Sequence, residues 1–289
     1  MIGVVNARWI VGVDGSLGSR SALAWALRES DRAGAELAVV HAYGSPLHAR
    51  VRSVVGATDD RDSRAATSAL DELDTSISDL VGRRRVECVV TDRPPGKALV
   101  EAGDDADVIV VGRHGIGGGW RDTIGSVSRY CVTHATVPTV VVPLDWNRGD
   151  IDDIVIGFDG SEHAAAALRW AMAFAPADAR LRAVIAIELA PWLSPDIVEE
   201  RLADELATER RRLADAIDAA DTEQIVEREI VVRGARPALA RAAEQADLVV
   251  LGRRGAGAIA SLVIGSVSTW MVEGATRPVA VIPPSTTDP

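Results

Sequence analysis

The sequence has little cysteine, few aromatic residues and no long uncharged apolar run, and each shortage excludes a class of protein. Its two cysteines form no CxxC pair and no secreted-domain framework, so we expect buried small hydrophobic side chains rather than redox or metal-binding groups. No stretch approaches the roughly 18–20 uncharged apolar residues of a membrane helix. No signal peptide is recognisable either, so we expect a cytoplasmic protein without a membrane partner.

Positive charge is scarce as well. The 31 Lys and Arg residues are outnumbered by 42 Asp and Glu residues, and the formal net charge is −11. Because nucleic-acid binding requires a basic surface that neutralises phosphates, no nucleic-acid partner is expected. An acidic chain still binds a small anion where backbone amides and a few arginines converge.

One pattern is present twice. RWIVGVDGS at 8–16 corresponds to DIVIGFDGS at 153–161, and GRHGIGGGWRDTIGSVS at 112–128 corresponds to GRRGAGAIASLVIGSVS at 252–268. Both glycine stretches fit G-x2-G-x9-G-S without insertion or deletion. The repeat predicts one domain over residues 1–145, a linker over 146–152 and a second domain over 153–289.

Short apolar runs alternate with helical patterns in each half, which is typical of an α/β fold with a parallel sheet covered on both faces. In the first half we predict strands over 9–13, 36–43, 86–91, 107–111 and 137–142. Helices are predicted over 17–33, with Ser16 as the N-cap, and over 59–81, 95–102 and 126–133. The second half repeats this order. Ligands of such sheets bind outside the carboxyl ends of the strands.

The glycine loops predict an anion site. Gly112 and Gly115 follow a strand and allow the backbone to approach a phosphate closely, while Gly125 and Ser126 begin a helix whose free N–H groups favour an anion. Ser128 adds a hydroxyl donor. The alternative is an ordinary loop with a helix cap. The second copy comprises Gly252, Gly255, Gly265, Ser266 and Ser268.

Asp14 and Asp159 each end a first strand. They either contact the ribose or base of a nucleotide, or a metal, or they form an Asx turn into the following helix; both roles are compatible. His114 and Arg254 occupy the same place in the two loops, so neither is expected to be a catalytic requirement. No nucleophile and base recur in both halves, and enzymatic activity is not indicated.

Three rival motifs fail. The dinucleotide fingerprint G-x-G-x-x-A is present in the second loop at Gly255, Gly257 and Ala260, but the first loop breaks it at Trp120. A phosphate-binding P-loop requires Gly-Lys-Ser/Thr, whereas Lys97, the single lysine, lies elsewhere. The hydrolase elbow G-x-S-x-G is absent.

The duplicated G-x2-G-x9-G-S loop, the strand-terminal DGS and the GSVS helix start resemble the universal stress protein family in its tandem two-domain form. The resemblance implies five-stranded parallel sheets of order 3-2-1-4-5 and one ATP, with Mg, in each domain. It also implies pairing through the fifth strand, as an internal pseudo-dimer and a further homodimer. The nucleotide-binding residues that it implies are Asp14, Gly15, Ala42, Gly112, Arg113, His114, Gly115, Gly125, Ser126, Val127 and Ser128, and in the second half Asp159, Gly160, Ile187, Gly252, Arg253, Arg254, Gly255, Gly265, Ser266, Val267 and Ser268.

The sequence therefore predicts an ATP-binding regulatory protein of the stress response, acting through nucleotide-dependent conformation or partner binding. The alternatives are an interaction module of the same fold without nucleotide and a slow ATP hydrolase. Gly112→Ala combined with Gly252→Ala is expected to abolish nucleotide binding and leave the fold intact. The two loops differ at Trp120, Arg121 and Asp122, where a different lid or affinity is expected.

Overall fold

A computed structural model describes residues 7–44, 73, 77–82, 86–115, 124–144, 146, 149–188, 195–220, 224–256 and 264–284 of the chain. The chain divides into two compact units, Met1–Asn147 and Arg148–Pro289. Each unit contains one copy of the repeated pattern.

Unit 1 has a parallel sheet of order β3-β2-β1-β4-β5. Between the strands the chain crosses over through helices, as parallel strands require. The strands are β1 (Arg8–Gly12), β2 (Glu36–Ala42), β3 (Glu87–Thr91), β4 (Val108–Gly112) and β5 (Thr139–Val142), and the helices are α1 (Leu17–Ala33), α2 (Pro95–Gly103) and α3 (Ser126–His134).

Unit 2 repeats this order as β8-β7-β6-β9-β10, again with parallel pairs. Its strands are β6 (Asp153–Gly157), β7 (Arg180–Ile187), β8 (Val226–Val232), β9 (Leu248–Gly252) and β10 (Val279–Ile282), and its helices are α4 (Glu162–Phe174), α5 (Pro195–Asp218), α6 (Ala235–Ala243) and α7 (Ser266–Glu273). The predicted fold class and strand order are confirmed.

Helix α1 begins and ends where its sequence signals predict. The Ser16 hydroxyl accepts the Ser19 N–H at 3.1 Å, and Gly34 ends the helix with φ +67°, a conformation that suits glycine. Leu23 and Trp25 on its inner face are buried, and the Trp25 ring stacks on Trp9 of β1. The helix therefore covers one face of the sheet.

The other face is covered by α2. A Cβ at Gly12 would lie 2.8 Å from Leu99 Cδ1 of α2, whereas a Cβ at Gly112 would meet the backbone of α1. Side chains on both faces of the central strands therefore meet a helix, which explains why these strands are apolar throughout. Ile10 and Ile109 are fully buried, as is Ile154 in unit 2.

The helix predicted over 59–81 lies mostly outside the described residues. Within that range the structure describes 73 and 77–81, and these residues are helical. The prediction that both cysteines are buried is wrong for Cys88, which is exposed on β3 at one side of the unit 1 sheet. Cys131 is buried, and burial raises the pKa of its thiol to about 12. Every helix in the described part of the chain is too short or too polar to span a bilayer.

Candidate functional site

Each unit has a cavity at the carboxyl ends of its first and fourth strands, where the DGS turn and the glycine loop meet. The unit 1 cavity has a volume of about 570 Å³ and the unit 2 cavity about 430 Å³. Both volumes lie in the range of about 300–1,000 Å³ that is typical of small-molecule sites.

Most of the predicted site residues line these cavities. In unit 1 they are Asp14, Ala42, Gly112, His114, Gly115, Gly125, Ser126, Val127 and Ser128. In unit 2 they are Asp159, Gly252, Arg254, Gly255, Gly265, Ser266, Val267 and Ser268. Five predicted residues do not line either cavity, namely Gly15, Arg113, Gly160, Ile187 and Arg253.

The two aspartates form the Asx turns that were one of the two alternatives. Asp14 Oδ1 accepts the Ser16 N–H at 3.0 Å and the Ser16 hydroxyl at 2.6 Å. Asp159 Oδ1 likewise accepts the Ser161 N–H at 3.1 Å. Gly15 and Gly160 follow with φ +79° and +72°, so glycine is required there by the turn. The turn holds each carboxylate at the cavity wall.

The second glycine of each loop makes room for that carboxylate. A Cβ at Gly115 would lie 2.3 Å from Asp14 Oδ2, and one at Gly255 would lie 2.4 Å from Asp159 Oδ2. In unit 2 the Asp159 Oδ2 atom also accepts the Ala256 N–H at 2.8 Å. The loop therefore packs directly on the aspartate of the first strand.

The first glycine of each loop has a packing role. A Cβ at Gly112 would lie 2.5 Å from the carbonyl carbon and oxygen of Gly18, and one at Gly252 would lie 2.6 Å from the carbonyl carbon of His163. These atoms belong to the first turns of α1 and α4. Because the added carbons would lie against backbone atoms, we now expect Gly112→Ala and Gly252→Ala to destabilise the fold as well as to change the site.

Helices α3 and α7 present their N-termini to the cavities. Gly125 and Gly265 are the N-cap residues and provide no side-chain hydrogen bond to the first turn. The same glycines donate their N–H groups to the carbonyls of Arg113 at 2.8 Å and Arg253 at 2.7 Å. Both ends of each loop are thus joined, while residues 116–123 and 257–263, including Trp120, Arg121 and Asp122, lie outside the described residues.

The serines of the two helix starts have different roles. Ser126 and Ser266 are exposed at the first helical position and line the cavities. Ser128 and Ser268 are buried, and their hydroxyls donate to the carbonyls of Gly112 at 2.6 Å and Gly252 at 2.7 Å. The expectation that these second serines donate to a phosphate is wrong, because their protons already fasten the helix to the strand end.

The family resemblance implies Ala42 in unit 1 and Ile187 in unit 2, each at the end of the second strand of its domain, and the strand register corrects Ile187 by one residue. Val40 of β2 lies beside Gly12, and Val184 of β7 lies beside Gly157. Counting two residues onward from each gives Ala42 and Ala186 as the matching pair, and Ala186 lines the unit 2 cavity. Because successive strand side chains point to opposite faces, a one-residue shift moves Ile187 away from the cavity.

Several apolar lining residues and one histidine were not predicted. The apolar ones include Val13, Leu99, Phe158 and Leu239. His41 is buried, its Nδ1 lies 2.8 Å from the Val13 carbonyl oxygen, and its Nε2 has no hydrogen-bond partner. In the sequence, an apolar residue at a strand end looks the same whether it lines a cavity or lies in the core. A histidine inside a buried strand, by contrast, is a sequence signal that could have indicated a cavity residue.

Charge differs between the two cavities. In unit 1 Arg113 Nε donates to His114 Nδ1 at 3.4 Å. In unit 2 burial and then the neighbouring Arg254 lower the pKa of Arg253. Burial, Arg254 and Arg253 also lower the pKa of His163, although Glu162 and Asp159 act in the opposite direction. Among the described residues no group of three His, Cys, Asp or Glu side chains is arranged to hold a metal ion.

Comparison with known proteins decides the family. The sequence model of the Universal stress protein family matches residues 7–143 and again residues 151–283. The chain belongs to the universal stress protein family. A universal stress protein of Mycolicibacterium smegmatis is 28% identical over 300 residues, which cover 95% of this chain and 96% of that protein.

A solved structure of a universal stress protein shares this fold. A universal stress protein from Archaeoglobus fulgidus superimposes with a TM-score of 0.62 at 19% identity, covering 96% of this chain and 98% of the other. Another universal stress protein was solved in complex with cAMP; it covers 47% of this chain and 100% of its own, at 23% identity and a TM-score of 0.37.

Proposed function

We propose that each unit binds one ATP, with Mg²⁺, in its cavity, and that the protein is a regulator of the stress response that acts through nucleotide-dependent conformation or partner binding. One observation carries the proposal. In both units an uncapped helix N-terminus and an apolar pocket open into one cavity at the carboxyl edge of the sheet.

The apolar side of each cavity suits a flat base. In unit 1 this side is formed by Val13, Val40, Ala42 and Leu99. In unit 2 it is formed by Phe158, Val184, Ala186 and Leu239. Burying an aromatic ring of a ligand against such groups is favourable by roughly 25 cal/mol for each Å² of apolar surface removed from water.

The helix start in each cavity suits phosphate. The N-terminus of a helix with unsatisfied N–H groups attracts an anion through those groups and through the helix dipole. Ser126 and Ser266 add hydroxyls that remain exposed there. Asp14 and Asp159 also line the cavities, and we assign them to the sugar of the nucleotide. Mg²⁺ commonly retains waters and is held by substrate phosphates, which fits a cavity without a carboxylate cluster in its described part.

The test uses aspartate at the helix starts. Ser126→Asp and Ser266→Asp place a negative charge at the phosphate position, where it repels the ligand. An acidic residue in the first helical turn stabilises a helix by about 0.3–1 kcal/mol, so the fold is retained. Titration calorimetry with Mg-ATP should give two sites in the wild type, one in each single variant and none in the double variant.

Ser126→Ala and Ser266→Ala are the matched controls, and they should reduce affinity modestly without removing a site. Absence of heat with the wild type, together with no nucleotide released when the purified protein is denatured, would contradict the proposal and favour an interaction module without nucleotide. Phosphate release that disappears in the double aspartate variant would favour the slow hydrolase.

The homodimer and the cytoplasmic location expected from the family also belong to the proposal. Light scattering of the purified chain distinguishes a 30.5 kDa monomer from a dimer. A monomer at all concentrations and nucleotide states would remove the dimer from the proposal and leave nucleotide binding untouched.

A further inference from the structure

The two cavities differ at the third residue of their glycine loops. His114 lines the unit 1 cavity and Arg254 lines the unit 2 cavity, each directly before the glycine that packs on the strand-terminal aspartate. Both loops are closed by equivalent hydrogen bonds, from Gly125 to the Arg113 carbonyl and from Gly265 to the Arg253 carbonyl. The difference is therefore one of side-chain charge at a matched position.

Arg254 has a half-buried, positively charged side chain in the unit 2 cavity. Its Nε is buried and has no hydrogen-bond partner. Arg254 lowers the pKa of both Arg253 and His163, so these two neighbours experience it as an unfavourable like charge. A guanidinium left in this state interacts strongly with an anion that supplies acceptor oxygens.

Asp159, the carboxylate in the same cavity, is already engaged. Its Oδ1 accepts the Ser161 N–H and its Oδ2 accepts the Ala256 N–H. Glu162 favours the charged form of His163, but it lies on the exposed side of α4 and does not line the cavity. The Asp159 carboxylate keeps its charge, but at His163 the effects of Arg254 and Arg253 are each larger than those of Glu162 and Asp159, so the local electrostatic field at this end of unit 2 is positive.

Unit 1 carries less positive charge at the same place. The His114 ring takes a hydrogen bond from Arg113, whose guanidinium does not line the cavity. Gly18 occupies the place of His163, and a Cβ there would lie 2.2 Å from the His114 carbonyl oxygen. No side chain at position 18 can add a charge to this cavity without a backbone shift.

We propose that Arg254 makes the unit 2 cavity selective for the longer, more highly charged phosphate chain, while the unit 1 cavity discriminates little between nucleoside mono- and triphosphates. This inference rests on the proposed function. Occupancy of unit 2 then follows the concentration of the nucleoside triphosphate, whereas occupancy of unit 1 follows the summed concentration of the mono- and triphosphates.

The test compares ATP and AMP in the full-length chain with one cavity closed at a time. Ser126→Asp leaves unit 2 open, and Ser266→Asp leaves unit 1 open. The ratio of the AMP dissociation constant to the ATP dissociation constant should be roughly 10- to 100-fold larger in unit 2 than in unit 1. The reason is that AMP lacks the added phosphates and so loses a charge-assisted hydrogen bond from Arg254. Arg254→His should lower that ratio to the unit 1 value.

His114→Arg is the reciprocal variant and should raise the ratio in unit 1, whereas Arg254→Lys, which keeps the charge, should retain most of the ratio in unit 2. Affinity for AMP should change little in Arg254→His, a result that a merely structural role of Arg254 would not produce. Equal ratios in the two open cavities, or ratios that neither exchange alters, overturn this inference and leave nucleotide binding standing. No binding of either nucleotide to the wild type overturns the proposed function and this inference together.

Discussion

Gly112 and Gly252 lie where the fourth strand of each unit ends against the first turn of a helix. In unit 1 the space for a Cβ is filled by the Gly18 carbonyl group at 2.5 Å, a distance that no relaxed structure shows. The glycine therefore allows the helix start to pack on the strand, and in doing so it brings the DGS turn beside the glycine loop. Fold and site depend on the same residue.

We predict that Gly112→Ala lowers the free energy of unfolding by about 2–3 kcal/mol, because overpacking against backbone forces a shift. Urea unfolding followed by circular dichroism measures the loss. Gly149→Ala is the matched control, since nothing lies within 4 Å of a Cβ there, and it should change stability by less than about 0.5 kcal/mol. Equal stability of the two variants would show that α1 moves aside freely.

His163 gives a pH prediction. Burial and the charges of Arg254 and Arg253 lower its pKa in the folded protein below the ordinary value of 6.5. As the pH falls through that value, unfolded chains bind a proton that folded chains do not, so acidification removes stability. The His163→Gln variant should lose less stability than the wild type between about pH 7.5 and 5.5.

The ring can also be followed directly. Its proton NMR signal, assigned by its absence in His163→Gln, should titrate with a midpoint below 6.5 in the free protein. Mg-ATP bound beside Arg254 should raise that midpoint, because phosphate charge offsets the guanidinium. A midpoint above the ordinary value in the free protein would contradict the arrangement of charges described for unit 2.

At the scale of the elements, strands β6 and β7 are joined by a buried ion pair. Arg182 Nη2 lies 2.7 Å from Asp153 Oδ1, and its Nε lies 3.0 Å from the same oxygen. The Arg182 side chain is 8% exposed and Asp153 is 16% exposed. Arg182 also donates to the Ala242 carbonyl and to the more exposed Glu229.

We predict that Asp153→Ala destabilises unit 2 by about 3 kcal/mol, because it leaves a buried guanidinium without its main partner. Arg182→Leu should cost clearly less, since an apolar side chain suits this position. The register supports that expectation, because Ala38 occupies the matching place on β2. Denaturant unfolding of both variants measures the two losses of stability. A larger loss in Arg182→Leu than in Asp153→Ala would contradict this prediction.

The sequence predicted strands and helices well because the local signals agree with the fold. Ser16 and Gly34 mark both ends of α1, and the apolar runs mark buried parallel strands. Contacts over long sequence distances were not predictable. The hydroxyl of Ser128 was assigned to a ligand because nothing local reveals its bond to the Gly112 carbonyl, sixteen residues away.

Register explains the other error at the candidate site. Ile187 ends an apolar run in the sequence, as Ala42 nearly does. The pairing of β7 with β6 shows that β7 continues one residue further than β2 does, so the equivalent of Ala42 is Ala186. A strand end read from sequence is uncertain by about that much. In a helix this shift matters little, but in a strand it reverses the side chain.

For the whole molecule, the repeat conserves the site while the spacing around it changes. Asp14 and Asp159 are 145 residues apart, Ala42 and Ala186 are 144 apart, and Gly112 and Gly252 are 140 apart. The differences in length between the two halves fall between these equivalent residues, and both cavities are lined by the same types of element. Unit 1 and unit 2 therefore offer two sites of one design with different charge, within a chain whose formal net charge is −11.

Because the chain has two proposed sites, the stabilisation by ligand should be the sum of one contribution from each occupied site. A ligand that binds only the folded state stabilises it by about 2.7 kcal/mol per site when its concentration is 100 times the dissociation constant. We predict that Mg-ATP at saturation stabilises the wild type against urea and that Ser126→Asp and Ser266→Asp each remove one site's share. In the double aspartate variant the nucleotide should have no effect, whereas stability without nucleotide should equal or exceed that of the wild type, since acidic residues favour both helix starts. Stabilisation by nucleotide that persists in the double variant would place the binding outside these two cavities.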